Sequence, residues 1–248
     1  MKHLDKLKLS AGEGDSIEAL TREQADEPEW FKQRENRFTA SLCNKIGFNF
    51  PKTEKGLRSL AHNIVHGNKK QNENRVLQAK LRYGKYFEPV ALKNYENSLR
   101  INGYKVVVEP CGFVIDENNF VLGCTPDGKV LFDGEFGILE IKCPEQFSNV
   151  DPKNICFIAK KPSLVYDEEH IKINKDHPYY KQIQMQLALT TQTWCDFVCY
   201  TSKGLVIDRV AFEEHYWSIL QREILELYFN YMLDEIITKS TKVRKIGW

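Results

Sequence analysis

An acidic residue two positions before a lysine on a β-strand puts both side chains on one face, because the strand period is two. A carboxylate placed this way can hold a divalent cation beside an ammonium group that contacts a water or a phosphate. Three triplets have that spacing: Asp127-Gly128-Lys129, Glu140-Ile141-Lys142 and Asp151-Pro152-Lys153. Context separates them. Pro152 suits a loop rather than a central strand, and Asp127 sits in a Pro-Asp-Gly turn. Only Glu140-Ile141-Lys142 ends a compact apolar run, Gly137 to Ile141, where unpaired charge is costly to bury. A mutual ion pair is the plainest partnership for these two residues. A richer one adds Asp127, which opens the preceding strand and can fold back beside Glu140 across a hairpin. Two carboxylates converging there repel unless a cation lies between them. Oxygen-only ligands select a hard ion, Mg²⁺ or Mn²⁺, and the backbone carbonyl of Ile141 can face the same ion. Phosphodiester hydrolysis is the chemistry such a centre suits: metal ions position water and stabilise charge, and Lys142 orients or activates the water.

Residue by residue, this constellation resembles the PD-(D/E)XK nucleases. Cys124-Thr125-Pro126-Asp127-Gly128, followed by Leu139-Glu140-Ile141-Lys142-Cys143-Pro144, is similar to the signature of the lambda-type exonuclease and YqaJ-like viral recombinase family. Upstream, Trp30-Phe31-Lys32-Gln33-Arg34 and Phe38-Thr39-Ala40-Ser41 resemble that family's N-terminal motif, and Gly84-Lys85-Tyr86-Phe87-Glu88 resembles a helix whose glutamate faces the metal. Tyr179-Tyr180-Lys181-Gln182-Ile183-Gln184 resembles a later helix whose glutamine completes the site. Four blocks in one order, spread over residues 30 to 211, are far more specific than any single block.

The resemblance implies a restriction-endonuclease-like α/β core, with a mixed central sheet flanked by helices. It implies Asp127 and Glu140 as metal ligands, joined by the Ile141 carbonyl and by Glu88, with Lys142 as the catalytic lysine. Gln182 would support the nucleophile or the lysine. Arg34 and Ser41 would hold phosphate of the DNA 5′ end or backbone, and Thr125 stands where the family has a serine. The implied activity is Mg²⁺-dependent 5′-to-3′ digestion of linear double-stranded DNA, leaving 3′ overhangs for a single-strand annealing partner. A ring-shaped trimer around the duplex belongs to the same implication. The link between Lys142 and Gln182 departs from the family pattern by being long, and it carries Lys153, Lys160, Lys161, Lys172 and Lys175.

Plainer readings stand beside these. Glu88 precedes Pro89 and could lie on a helix surface. Arg34 and Arg37 could pair with Glu29 and Glu35 as surface ion pairs. Gln182, Gln184 and Gln186 alternate with apolar residues, so some of them should face solvent. His62 and His66 lie four apart on one helix face but lack an obvious third ligand, so they read as a solvated face. Tyr216, Trp217, Tyr228, Phe229 and Tyr231 read as core or subunit contact rather than as base-stacking platforms.

The elements that must position these residues follow from periodicity. Residues 1–28 read as a polar leader, partly ordered, ahead of a single domain over 29–248. Arg34 to Ser41 runs into a short helix with Ser41 as N-cap for Leu42 to Ile46. Leu57, Leu60, Ala61, Ile64 and Val65 recur at helical spacing, and Gly67 ends that helix. A further helical pattern starts at Asn74, pauses at Gly84 and resumes from Phe87 to Tyr95. Then the period changes. Tyr104–Val108, Gly112–Ile115, Phe120–Gly123, Lys129–Phe132 and Ile138–Ile141 read as an antiparallel meander. Pro144 to Lys175 reads as a long connection with one short helix. A helix from Pro178, strands Asp196–Thr201 and Leu205–Ala211, and a long helix from Glu213 to Ile237 complete the order.

Composition sets the limits. The chain has 248 residues, 42% hydrophobic and 28% charged, which is ordinary for a globular protein and excludes collagenous, disordered or strongly basic tail-type classes. No run of about 18 apolar residues suits a membrane helix, and Met1 to Gly14 lacks the apolar stretch of a signal peptide. Seven scattered cysteines, without a C-x-x-C pair, suit a reducing, intracellular setting, and Cys195 and Cys199, which flank an apolar run, read as buried structural thiols. The net charge of +1 argues at first against a nucleic-acid partner. Its distribution argues otherwise: residues 51–105 carry 12 basic and 4 acidic side chains, and residues 106–150 carry 2 and 8. A basic helical segment can track phosphate while cations neutralise the acidic centre. The competing functions are an endonuclease on the same core and a non-catalytic DNA-binding or annealing accessory protein.

Overall fold

The computed structural model describes residues 3–46, 50–67 and 75–246. Its frame is a five-stranded sheet in the order β10-β9-β6-β5-β2. The strands are β2 (Val106–Glu109), β5 (Gly128–Phe132), β6 (Glu135–Lys142), β9 (Trp194–Thr201) and β10 (Gly204–Ala211). β6 and β9 run parallel, and every other neighbouring pair is antiparallel. The parallel pair requires a crossover, supplied by helix Pro178–Thr190.

Period two sorts the side chains of the central strands onto two faces. Ile138 of β6 and Cys195, Phe197 and Cys199 of β9 pack with Ile183 and Leu187 of the crossover helix. Leu139 and Ile141 of β6, with Val198 of β9, pack on the opposite face with Ala91 and Tyr95 of the 27-residue helix Arg75–Ile101. Both faces of β6 are therefore covered, which explains its continuous apolar run. Glu140 and Lys142 share the face of Ile138, toward the crossover helix.

In chain order the described α-helices are α1 (Glu13–Leu20), α2 (Pro28–Arg34), α3 (Cys43–Ile46), α4 (Glu54–His66), α5 (Arg75–Ile101), α6 (Ile155–Ile158), α7 (Pro178–Thr190), α8 (Glu214–Leu227) and α9 (Leu233–Ile246). Local chemistry marks their ends. Thr53 accepts from Gly56 N at 3.2 Å to cap α4, and Gly67 closes it at φ 67°. His177 caps α7 by accepting from Tyr179 N at 3.2 Å, with Pro178 in the first turn. Burial, and then the charge of Lys142, pull the His177 imidazole down to about 4, so the cap is neutral and able to accept.

Several expectations need correction. The strands from Tyr104 to Ile141 do not form one meander: β3 (Val114–Ile115) and β4 (Leu122–Cys124) leave the main sheet for a small one in the order β1-β4-β3. There β1 (Phe38–Thr39) pairs parallel to β4, a long-range partnership that local periodicity does not carry. Ser41 is not an N-cap; it lies inside a 3₁₀ turn, Ala40–Leu42, that leads into α3. Gly84 does not interrupt α5, which also runs through Pro89; Asn74 lies outside the described residues. The 144–175 connection contains a hairpin, β7 (Leu164–Asp167) with β8 (His170–Ile173). Its turn places Glu168 at φ 53° without a glycine or asparagine to announce it. The C-terminal helix changes to a π-turn at Tyr228–Met232 before α9.

The segment read as a polar leader packs onto β3. Gly112 N donates to Glu18 Oε1 at 3.0 Å, and Phe113 N donates to Thr21 Oγ1 at 2.7 Å. Leu7 and Ile17 are buried. Of the C-terminal aromatics, Trp217 and Tyr228 are core residues, Tyr216 and Tyr231 pack against the core, and Phe229 is exposed. All seven cysteines are free thiols, five of them buried. Among the described residues, no helix is long and apolar enough to cross a membrane.

Candidate active site

β5 and β6 meet at the C-terminal end of β6, and there the backbone brings two carboxylates together. Asp127 N donates to Leu139 O at 3.0 Å, continuing the hairpin ladder by one residue. The Asp127 side chain then accepts from Ile141 N at 2.6 Å through Oδ2. Asp127 thus folds back across the hairpin, and its carboxylate is held by the strand that carries Glu140.

Glu140 is 1% exposed, and both of its oxygens accept hydrogen bonds. Oε1 accepts from Lys142 Nζ and, at 2.6 Å, from Gln182 Nε2; Oε2 accepts from Gln186 Nε2 at 2.7 Å. The Lys142–Glu140 ion pair is present, but as one part of a larger network. All three glutamines on α7 are buried, correcting the expectation that some face solvent. α7 is covered all round, so apolar and amide residues are both inside, and the amides are there because they have specific partners. Gln184 serves a different end: it donates to Ala211 O and accepts from Glu213 N, both at 2.8 Å, pinning the β10–α8 corner.

Charge accumulates at this point. Burial, reinforced by repulsion from Glu140, holds the Asp127 carboxyl well above its ordinary value. Burial likewise raises Glu88, with Lys142 opposing and Glu140 adding to the rise. Burial alone would lower Lys142, but the carboxylates of Glu140 and Asp127 outweigh it and keep the ammonium protonated. The Lys142 ammonium also lies 5.2 Å from the centre of the Tyr179 ring. Three carboxyl groups converge on one lysine, and a cation among them would favour their ionised forms.

The phosphate-binding candidates lie along the same cleft. The Arg34 guanidinium stacks over Trp30 at 4.0 Å and donates to Ser41 Oγ at 3.1 Å. It does not pair with Glu29 or Glu35, and no described carboxylate lies within ion-pair distance. Burial pulls Arg34 down to about 10, leaving it charged at neutral pH. A half-buried cation without an anion is suited to bind one. Arg37 is instead structural, donating to the carbonyls of Phe120, Gln33 and Leu7 at 2.6–2.8 Å. The Thr125 hydroxyl accepts from Trp30 Nε1 at 3.0 Å, so it fixes the ring on which Arg34 rests.

One cleft of about 1100 Å³ is lined by Arg34, Ser41, Glu88, Thr125, Asp127, Glu140, Ile141, Lys142 and Gln182, all nine residues singled out in the sequence. Lys80 and Lys85 of α5 stand at its rim. Gln186 is the residue that sequence reasoning missed. Its signal was present, since position 186 lies four after 182 and shares its helix face.

A hard divalent cation fits the donors here, which are carboxylate and backbone oxygens only. The side-chain oxygens of Gln182 and Gln186 are buried beside Glu140 and have no donor, and water on a bound cation would supply one. The ligand atoms of Glu88, Asp127 and Glu140 do not all lie within 4.8 Å of one another, and Lys142 and the two glutamines hold the Glu140 carboxylate on the α7 side.

Comparison with known proteins places this architecture. The chain is similar to the alkaline exonuclease LHK-Exo from Laribacter hongkongensis, with a TM-score of 0.59 and 23% identity, covering 88% of this chain and 99% of that one. It is also similar to the Shutoff and Exonuclease Protein from Kaposi's sarcoma-associated herpesvirus, with a TM-score of 0.56 and 14% identity, covering 89% of this chain and 72% of that one. A SOX–DNA complex matches with a TM-score of 0.57 and 13% identity, covering 90% and 71%. These likenesses show a shared nuclease fold. No curated protein sequence matches the chain. The model of the YqaJ-like viral recombinase domain matches residues 29–193, and the chain belongs to that family.

Proposed function

We propose that this protein is a metal-dependent deoxyribonuclease, acting as a 5′-to-3′ exonuclease on linear double-stranded DNA and leaving 3′ overhangs for recombination or repair. The observation that carries the reading is the single cleft in which an unpaired arginine faces a carboxylate–lysine centre. Membership of the YqaJ-like family supports it, as does the fold shared with an alkaline exonuclease.

Asp127 and Glu140, with the Ile141 carbonyl and Glu88, would hold Mg²⁺ or Mn²⁺, which when bound supplies Lewis-acid stabilisation of phosphoryl charge and a more acidic water. Arg34 and Ser41 grip a phosphate on one side of the scissile bond and orient the strand. Lys142, protonated, offers a donor to the attacking water or to a phosphoryl oxygen. Gln182 and Gln186 hold Glu140 in one rotamer, so the carboxylate does not have to reorganise during turnover. A ring-shaped trimer and a single-strand annealing partner are parts of the same proposal.

End-labelled linear duplex with Mg²⁺ should release mononucleotides, while covalently closed circles survive. Asp127→Asn and Lys142→Ala should each lower the rate by at least about a hundredfold. Absence of cleavage of any DNA, or unchanged rates in both variants, would overturn the reading. Loss of circles at the rate of linear DNA would turn it to an endonuclease, and duplex binding without turnover to an accessory protein. One similar protein has been solved as a SOX–RNA complex, so single-stranded RNA belongs in the assay as a competing substrate.

A further inference from the structure

Away from the cleft, His62 and His66 lie on one face of α4, and the sequence around them offers no third ligand. The fold supplies it from 169 positions away. α9 crosses α4 and sets Glu235 against both rings, with Oε2 3.2 Å from His62 Nδ1 and 2.7 Å from His66 Nε2. The ring centres are 4.5 Å apart. Among the described residues this is the one group of three His, Cys, Asp or Glu side chains whose ligand atoms all lie within 4.8 Å of one another.

We propose that His62, His66 and Glu235 form a binding site for a transition-metal dication of the zinc class, separate from the cleft, which clips α9 to α4. Two imidazole nitrogens and one carboxylate oxygen are the donors that favour Zn²⁺ over Mg²⁺. With bonds of about 2.0–2.1 Å, a tetrahedral Zn²⁺ holds its ligand atoms about 3.3 Å apart. The 3.2 Å separation to His62 matches that value, and the 2.7 Å separation to His66 has to open by about 0.6 Å for an ion to enter. One helix presents both histidines at a spacing of four, which fixes their relation before the ion arrives.

Access and neighbours agree with this assignment. The His62 side chain is 59% exposed, against 23% for His66 and 30% for Glu235, so the group opens to solvent on the His62 side. A water can complete the fourth position, as in zinc sites with three protein ligands. Two lysines that reach α4 donate to its backbone carbonyls: Lys239 to Val65 O at 3.0 Å and Lys45 to Asn63 O at 3.4 Å. The site joins two elements that are remote in the chain and share one apolar core, where Ala61 packs with Met232 and Ile236. Its role is therefore to brace the fold, outside the nuclease chemistry.

Calorimetric titration of the full chain with Zn²⁺ alone tests the site. Wild type should take up one more equivalent than the His62→Gln/His66→Gln double variant. Zn²⁺ at a hundred times its dissociation constant should raise the thermal midpoint of wild type by roughly 5–10 °C more than that of the double variant. Glu235→Gln, made on the other helix, should lose the same equivalent, whereas Asp127→Asn in the cleft should keep it. Equal uptake by wild type and both variants, or an equal midpoint shift, overturns the proposal; so does loss of the equivalent in Asp127→Asn.

Discussion

At the scale of single residues, the centre of the proposed chemistry is a carboxylate that is 1% exposed and held from three sides. Gln186→Ala would leave Glu140 Oε2 without its donor. Losing a hydrogen bond to a buried charge costs about 1.5–3 kcal/mol, so urea denaturation should show a fall of that size. Because Gln186 acts through Glu140, kcat should fall by about tenfold with KM little changed. Glu18 carries a different prediction. Burial would raise its carboxyl, but hydrogen bonds from Arg22, from Gly112 N and from Lys129 outweigh it and bring it from 4.5 down to about 2. A carboxyl whose value is depressed on folding contributes stability above its unfolded value, and that contribution fades as pH falls toward the folded one. Glu18→Gln should therefore be less stable than wild type at pH 7, and the gap should close between about pH 4.5 and 2, as followed by denaturation at stepped pH.

At the scale of elements, helix periodicity was legible wherever one face of a helix meets a core. α4 was read to its terminal glycine because Leu57, Leu60, Ala61, Ile64 and Val65 line one side, and a glycine with φ 67° follows. α1 escapes the periodicity because a single apolar residue, Ile17, anchors it against Phe113 and Ile115, and its other anchors are polar. Glu18 and Thr21 tie it to β3 through backbone N–H groups, and no hydrophobic pattern announces that. Close approach to Gly112 makes this possible: a Cβ there would collide with the Glu18 carbonyl oxygen. Gly112→Ala should displace α1 and cost about 1–3 kcal/mol, seen as a lower urea midpoint. α5 is fastened in a comparable way. Tyr95 donates to Asp196 at 2.6 Å, and Arg209 pairs with the same carboxylate while stacking on Trp194 at 3.9 Å. Asp196 and Arg209 are 13 residues apart and face each other only once β9 and β10 pair.

At the scale of the whole molecule, the near-neutral charge resolves into two opposed regions. α5 brings Lys80 and Lys85 to the rim of a cleft whose floor is acidic. If duplex lies along that rim, affinity should fall steeply with salt, and Lys80→Ala should reduce the slope of log K against log salt by about one. Fluorescence anisotropy with a labelled linear duplex at stepped NaCl measures it, and an unchanged slope would remove Lys80 from the path of the DNA.

By itself the sequence determined the hairpin that carries Asp127 and Glu140, the lysine beside them and the family to which the chain belongs, because those residues are linked by strand period and short turns. Only the tertiary structure decided that α7 turns Gln182 and Gln186 onto Glu140, that β1 adds Arg34 and Ser41 to the same cleft, and that Glu235 reaches His62 and His66. Each of these contacts joins residues more than 40 positions apart or depends on which helix face is covered. Local propensity carries no record of such partners; the burial of apolar faces against one another selects them.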